Sequence, residues 1–255
     1  MKVQTNLRTE EVTAKLRKLG PWFYPFEFQN GAKAELLDQS ALVIHESRAA
    51  GIFPILDRHF QGRWPSVSCL DVACHEGWFS LQIAQRGARL VEGIDVRPER
   101  IEKANFIRDA AGFVNARYRI GDLFDLTPAR DGAFDLTLFL GIFYHLEDPV
   151  RGFRLMRALT KEVCVVEGQV ARHWGSETTA WGKSDELRAG PACVVIDADP
   201  NHTSPGSAIC MVPSLEALQK IVRAAGFTRT EIIRPAAGMH EQFLAFDRVM
   251  LFAFV

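Results

Sequence analysis

Three aspartates stand at or just past the ends of short apolar runs: Asp71 in Leu70-Asp71-Val72, Asp95 in Gly93-Ile94-Asp95, and Asp122 in Gly121-Asp122-Leu123. A carboxylate in such a place can hold a cation or accept hydrogen bonds from hydroxyl and amino groups. At Asp71 the fitting partner is an amino-acid ammonium group, because a diphosphate there would be repelled. Asp95 suits the two hydroxyls of a ribose, each charge-assisted bond contributing about 1.5–3 kcal/mol. Asp122 suits the amino group of an adenine. Together the three describe a nucleoside with a zwitterionic tail. Between Asp71 and the next helix run Ala73, His75 and Gly77. A dinucleotide site would place Gly-x-Gly-x-x-Gly at this crossover for its pyrophosphate, and the loop keeps only Gly77. That glycine reads as demanded by close approach of backbone to ligand.

A second group follows the fourth and fifth apolar runs. Tyr144 and His145 come just after Leu140-Gly141, and Glu167 ends Val163 to Glu167. An imidazole titrating near neutrality can act as a general base, which makes His145 a catalytic candidate. Tyr144 can wall the substrate or cofactor, or the pair can simply pack beneath the following helix. Glu167 can take a proton, orient an acceptor, or hydrogen-bond structurally. Trp22, Phe23, Tyr24, Trp174 and Trp181 can line a pocket for an apolar acceptor. With 18 Phe in the chain, the competing reading is that aromatics are core. His173, His202 and His240 lack ligand spacing, so no metal is expected.

The elements that must position these groups follow from periodicity. Val67–Val72, Arg89–Asp95, Ala116–Ile120, Phe134–Leu140 and Val163–Glu167 read as strands. Helices are expected at Trp78–Arg86, about Pro98–Ala111, and Pro149–Leu159. This alternation predicts a Rossmann-like α/β fold with a doubly wound, mostly parallel seven-stranded sheet and helices on both faces. Upstream, Thr9–Leu19 and Ser40–Phe60 read as helices around an aromatic stretch, Trp22–Phe28, closed by a turn at Asn30-Gly31. Downstream, Pro213-Ser214 caps a helix to Ala225, and strands follow at Phe227–Arg234 and Arg248–Val255. The last is apolar on both faces and must be inserted between neighbours, as the antiparallel terminal strand of the expected sheet. The expected organisation is a cap over 1–65, a cofactor-binding core over 66–167, a lid over the poorly periodic 168–212, and completion of the sheet over 213–255.

The 255 residues are 47% hydrophobic and 24% charged, with 30 basic against 31 acidic side chains. Such a chain can bury enough apolar surface to fold, and its net charge of −1 leaves no electrostatic footprint for nucleic acid or anionic membrane. The polar opening MKVQTNLRTEE is no secretory signal, and the longest apolar run, Leu136 to Tyr144, is too short to span a bilayer. Five scattered cysteines without a C-x-x-C pair read as reduced thiols, so a cytoplasmic location is expected.

With these residues in place, the sequence resembles the class I S-adenosylmethionine-dependent methyltransferases over about residues 66–167 and again over 215–255. Asp71 to Gly77 matches that family's first motif, Asp95 its ribose acid, Asp122 its adenine acid, and Phe134-Asp135-Leu136 its fourth strand. Ala73 and His75 stand where the family usually has glycine. The resemblance implies that Asp71, Ala73, His75, Gly77, Asp95, Asp122, Leu123 and Gly141 line the cofactor. A narrower similarity is carried by Trp22-Phe23-Tyr24-Pro25-Phe26, His45-Glu46-Ser47-Arg48 and the run Gly141 to Pro149. Val166-Glu167-Gly168-Gln169 and Val212-Pro213-Ser214 extend it. These look like a group related to the tRNA wobble-uridine carboxymethyltransferases.

The resemblance implies methyl transfer from S-adenosylmethionine. The expected partner is a small-molecule acceptor, a specialised metabolite among the options, on a monomer or homodimer. One alternative modifies tRNA with S-adenosylmethionine or its carboxylated relative and should lose affinity steeply with salt. Another is a non-catalytic module that binds a cofactor or partner. A nicotinamide-dependent oxidoreductase is disfavoured by Asp71 and the missing glycines.

Overall fold

The computed structural model describes residues 2–171, 193–197 and 209–255. Seven strands make the main sheet: β3 (Ser68–Val72), β4 (Leu90–Asp95), β5 (Ala116–Ile120), β6 (Phe134–Leu140), β7 (Thr160–Gln169), β10 (Arg229–Ile232) and β11 (Arg248–Phe254). Their hydrogen-bonded order is β10-β11-β7-β6-β3-β4-β5. β3 runs parallel to both β4 and β6, and β4 runs parallel to β5. This is the Rossmann-like sheet expected of the alternating pattern. The chain divides into two compact units, 1–138 and 139–255.

In the first unit, a two-stranded pair joins β1 (Lys2–Val3) to β2 (Glu27–Phe28), and α1 (Thr9–Leu19) lies between them in sequence. Helix α2 (Ala41–His59) buries Arg48, Ile52 and Leu56, spaced by one turn so that they share a face. Every residue of β3 is buried, Ser68 and Asp71 included, so the strand is covered on both faces. Asp135 closes the start of that strand by accepting from the Ser68 backbone N–H (2.8 Å) and hydroxyl (2.6 Å). Gly77 opens α3 (Trp78–Gln85), and Pro98 stands in the first turn of α4 (Pro98–Ala111), where its missing N–H has no partner to lose. Helix α5 (Pro128–Asp131) is a single turn.

In the second unit, Asp148 caps α6 (Pro149–Leu159) by accepting from the Arg151 N–H at 2.9 Å. Ser214 caps α7 (Leu215–Ala224) in the expected way, its hydroxyl accepting from Ala217. The terminal strand β11 pairs antiparallel with β10 on one side and β7 on the other, as its two-faced apolar pattern demands. Within the expected irregular stretch 168–212, β8 (Cys193–Asp197) pairs antiparallel with β9 (Ile209–Pro213). The β-branched run Val194-Val195-Ile196 carried that signal, but the surrounding Gly, Pro and His hid it. A short α8 (Glu241–Leu244) precedes β11.

Candidate functional site

The loop leaving β3 has an unusual backbone. Ala73, His75 and Gly77 all adopt left-handed conformations, with φ of 57°, 54° and 75°. This region costs an L-residue roughly 1–2 kcal/mol and favours glycine. Ala73 and His75 therefore hold the backbone shape that glycine gives while carrying side chains. At Gly77 a second constraint applies, since an added Cβ would lie 2.8 Å from the Tyr118 ring. The glycine is thus required by φ and by Tyr118, whatever else approaches the loop.

Asp71 is buried at the end of β3, and its Oδ2 has no hydrogen-bond partner. Burial pushes its carboxyl up to about 7, against the pull of Ser80 and of the Arg48 guanidinium. An ammonium group would supply both the missing donor and the missing charge. Asp95 is buried at the end of β4 and also raised by desolvation, which the N–H groups of Arg97 and His75 oppose. Those two amides donate to its two oxygens at 3.0 Å each. Each oxygen keeps a further lone pair for a hydroxyl. Asp122 is exposed; its Oδ1 caps the single turn at Leu123–Asp125 by accepting from Phe124 N–H at 2.8 Å, and Leu123 is buried beneath it. His75 is held neutral: burial lowers its pKa well below the ordinary value, and Arg100, Arg97 and Lys103 add to the effect. Its Nδ1 is buried without a partner.

The aromatic segment packs against this same loop. Glu76, fully buried, accepts from the Phe23 and Tyr24 backbone N–H groups at 2.9–3.1 Å. It also binds Arg100 (3.3 Å) and Lys103 (3.0 Å). Trp78 donates to the Pro25 carbonyl, and His45 donates to that of Phe23. Tyr24 stacks on Trp78 with ring centroids 5.5 Å apart, flanked by His45 and His75, and receives a hydrogen bond from Arg48 at 3.2 Å. Trp22 differs from the expected pocket wall. It is fully buried, gives its indole N–H to the Leu16 carbonyl, and packs on Phe26 and Phe106 as core. Sequence reasoning passed over Glu76, whose one available signal is a charged residue inside an otherwise small and apolar turn.

In the second unit, Gly141 takes a positive φ of 74° and donates to the Glu167 carbonyl at 2.7 Å. Tyr144 and His145 lie on one 3-10 turn with ring centroids 4.2 Å apart. The Tyr144 ring lies against β7, where a Cβ on Gly168 would approach within 2.6 Å. Glu167 is buried and bound to Arg248 at 2.7 Å, while the same guanidinium donates to the Tyr144 hydroxyl and to Gln242, each at 3.2 Å. Burial alone would lower the Arg248 pKa, but Glu167 and Tyr144 raise it above its ordinary value. Glu167, expected as a candidate base, here supplies the counter-charge to a buried guanidinium. Arg248 was missed; its signal was a lone cation opening an apolar strand. Trp174 and Trp181, with His173 and His202, lie outside the described residues.

Residues 65–208, more than half of the chain, match a protein-family model described as a methyltransferase domain. The bifunctional methyltransferase/kinase WbdD of Escherichia coli, an O-antigen chain terminator, is 33% identical over 81 residues, 31% of this chain and 11% of WbdD. Ajmaline N-methyltransferase of Rauvolfia serpentina is 34% identical over 88 residues, 34% of this chain and 30% of that one. The matches thus span well under two thirds of either relative. Among solved structures, the N-terminal domain of EvdMO1 with SAH bound has a TM-score of 0.74 at 19% identity, covering 98% of each chain. At that identity the likeness is one of fold.

Proposed function

Because this chain belongs to the methyltransferase-domain family, which its residues 65–208 match, we propose that it transfers a methyl group from S-adenosylmethionine to a small-molecule acceptor. One observation carries the cofactor assignment. A buried carboxylate with an orphaned oxygen, Asp71, opens a loop that takes left-handed backbone at three alternate positions. That shape supports a working cofactor loop over a degenerate binding module, although two of the three residues are not glycine.

When bound, the cofactor supplies an electrophilic methyl group on a sulfonium. Asp71 receives the ammonium of its amino-acid tail, Asp95 its ribose hydroxyls, and Asp122 its adenine amino group, with Leu123 against the ring. Ala73, His75, Gly77 and Gly141 give the backbone surface. Methyl transfer asks the protein mainly to align the nucleophile and exclude water. His145 takes the proton from the acceptor's hydroxyl or amine, and Tyr144, held by Arg248, orients that acceptor. Tyr24 contributes through the aromatic segment, with 1–65 as cap and 168–212 as lid; most of the latter lies outside the described residues.

The small-molecule acceptor is supported by the net charge of −1 and by relatives such as ajmaline N-methyltransferase. No described helix is long and apolar enough to cross a membrane. The competing acceptor class is tRNA, which the narrower resemblance implies. Transfer of isotope-labelled methyl should be followed over a panel of small phenols, alcohols and amines, and over bulk tRNA. Labelling of a small molecule, lost in His145→Ala and reduced in Tyr144→Phe, is the expected result. Labelling confined to tRNA, with salt-sensitive turnover, would replace the acceptor assignment.

A further inference from the structure

We infer that Phe246, on the turn that ends α8, is the wall against which the apolar body of the acceptor rests. It thereby selects acceptors that carry an aromatic group beside the reacting hydroxyl or amine. The inference rests on the small-molecule reading above and names the acceptor class that reading leaves open.

The turn is a Schellman cap. Ala245 ends the helix, the Phe246 N–H donates to the Phe243 carbonyl at 3.1 Å, and the Asp247 N–H reaches back to the Gln242 carbonyl at 2.9 Å. Such a cap puts left-handed backbone at the residue after the helix, and Phe246 adopts it with φ of 57°. Glycine fills this position most often, and a bulky side chain there is an outlier. The strain does not serve to bury the ring in the core. Phe246 remains 41% exposed and Leu244 48%, whereas Phe243 on the same turn is buried. Strain kept for a side chain that the core does not take marks a functional position.

The sheet register places this turn beside the Tyr144–His145 pair. Arg248, two residues on, pairs with Gln169 at the end of β7, and the Asp247 carbonyl accepts from the Val170 N–H at 3.0 Å just past it. The Arg248 guanidinium donates to the Tyr144 hydroxyl at 3.2 Å, and its Cζ stands 5.5 Å from the centre of that ring. The cap and the guanidinium also share Gln242, whose carbonyl accepts from Asp247 and whose side chain accepts from Arg248. Two residues of chain span at most about 7 Å, so Phe246 stands on the same rim of the sheet as Arg248 and Tyr144. An exposed ring at that rim offers face and edge contacts to an aromatic acceptor and little to a small polar one.

The test uses the full chain and 2-naphthol, a fluorescent aromatic alcohol. It is titrated into wild type, Phe246→Gly, Phe246→Asn and Phe246→Leu, with and without S-adenosylhomocysteine. Wild type should bind it saturably. Phe246→Gly and Phe246→Asn should weaken that binding by about tenfold or more, the loss expected on removing a buried aromatic contact. Both accept left-handed backbone, so both should unfold at a thermal midpoint no lower than that of wild type. Phe246→Leu should recover most of the affinity, and S-adenosylhomocysteine should bind all four proteins alike. No saturable binding of 2-naphthol to wild type, or equal binding in Phe246→Gly, overturns the inference. A lower midpoint or a failure to fold in Phe246→Gly also overturns it, because the ring would then serve the fold. A wild-type dimer that Phe246→Gly dissociates in sedimentation, with naphthol binding intact, would assign the ring to an interface between copies instead. Absence of S-adenosylhomocysteine binding to wild type would remove the cofactor reading and leave the naphthol comparison standing, so the two failures are distinguishable.

Discussion

Two non-glycine residues, Ala73 and His75, hold backbone that glycine would hold without strain. Replacing Ala73 with glycine relieves about 1–2 kcal/mol of left-handed strain, offset by about 0.5–1 kcal/mol of added unfolded-state freedom. Ala73→Gly should therefore raise unfolding free energy by about 0.5 kcal/mol in urea denaturation, whereas a clear loss would mean the side chain packs usefully. Asp71 gives a pH signature. Its folded carboxyl is raised from an ordinary 3.8 to about 7, so between those values the folded state holds a proton that the unfolded chain has lost. Its contribution is full below pH 3.8 and is lost as pH rises towards 7. Asp71→Asn should thus stabilise the ligand-free protein at pH 8 by at least about 1 kcal/mol, measured by denaturant titration, while weakening cofactor binding. In wild type, cofactor affinity should rise with pH through neutrality as the carboxylate forms. Asp71 and Asp95 were legible from sequence because strand-end acids have a distinctive pattern. Arg248 was harder to assign, since a buried cation has no periodic signature until the partner that neutralises it is placed.

At the scale of elements, Glu76 joins three pieces: the loop after β3, the aromatic segment and α4. Removing it leaves Arg100 and Lys103 without their buried counter-charge. Glu76→Ala should cost about 3–5 kcal/mol and speed amide exchange at Phe23 and Tyr24; protection unchanged at those amides would contradict the anchoring role. On β7, Gly168 leaves room for the Tyr144 and Phe143 rings, which a Cβ would approach at 2.6–2.7 Å. Gly168→Ala should displace Tyr144, lowering kcat at least about tenfold while leaving cofactor affinity nearly unchanged; a parallel loss of affinity would count against that division of labour. Helices α1, α4 and α6 were legible to the residue because caps, prolines and apolar spacing agree. The β8–β9 pair was not, because its pairing lies between strands separated by loop-forming composition.

At the scale of the whole molecule, the seven-stranded, mostly parallel sheet was legible in the alternation of strands and helices and in the two-faced apolar terminal strand, whereas the strand order was not. The acceptor does not follow in the same way, since a sheet of this kind hosts many reactions and the specificity lies in side chains grafted on it. If the acceptor is small, cofactor binding and turnover should depend only weakly on salt, whereas a polynucleotide acceptor would make turnover fall steeply between low and moderate ionic strength.

The central claim is that the loop from Asp71 to Gly77 and the acid at Asp95 form a working site for S-adenosylmethionine. Calorimetric titration of the purified wild-type protein with that cofactor, beside a folded Asp95→Ala variant, tests it most directly. The account predicts saturable one-site binding, weakened in the variant by about 1.5 kcal/mol or more. Absence of binding to the well-folded wild type, or equal affinity in the variant, would contradict it.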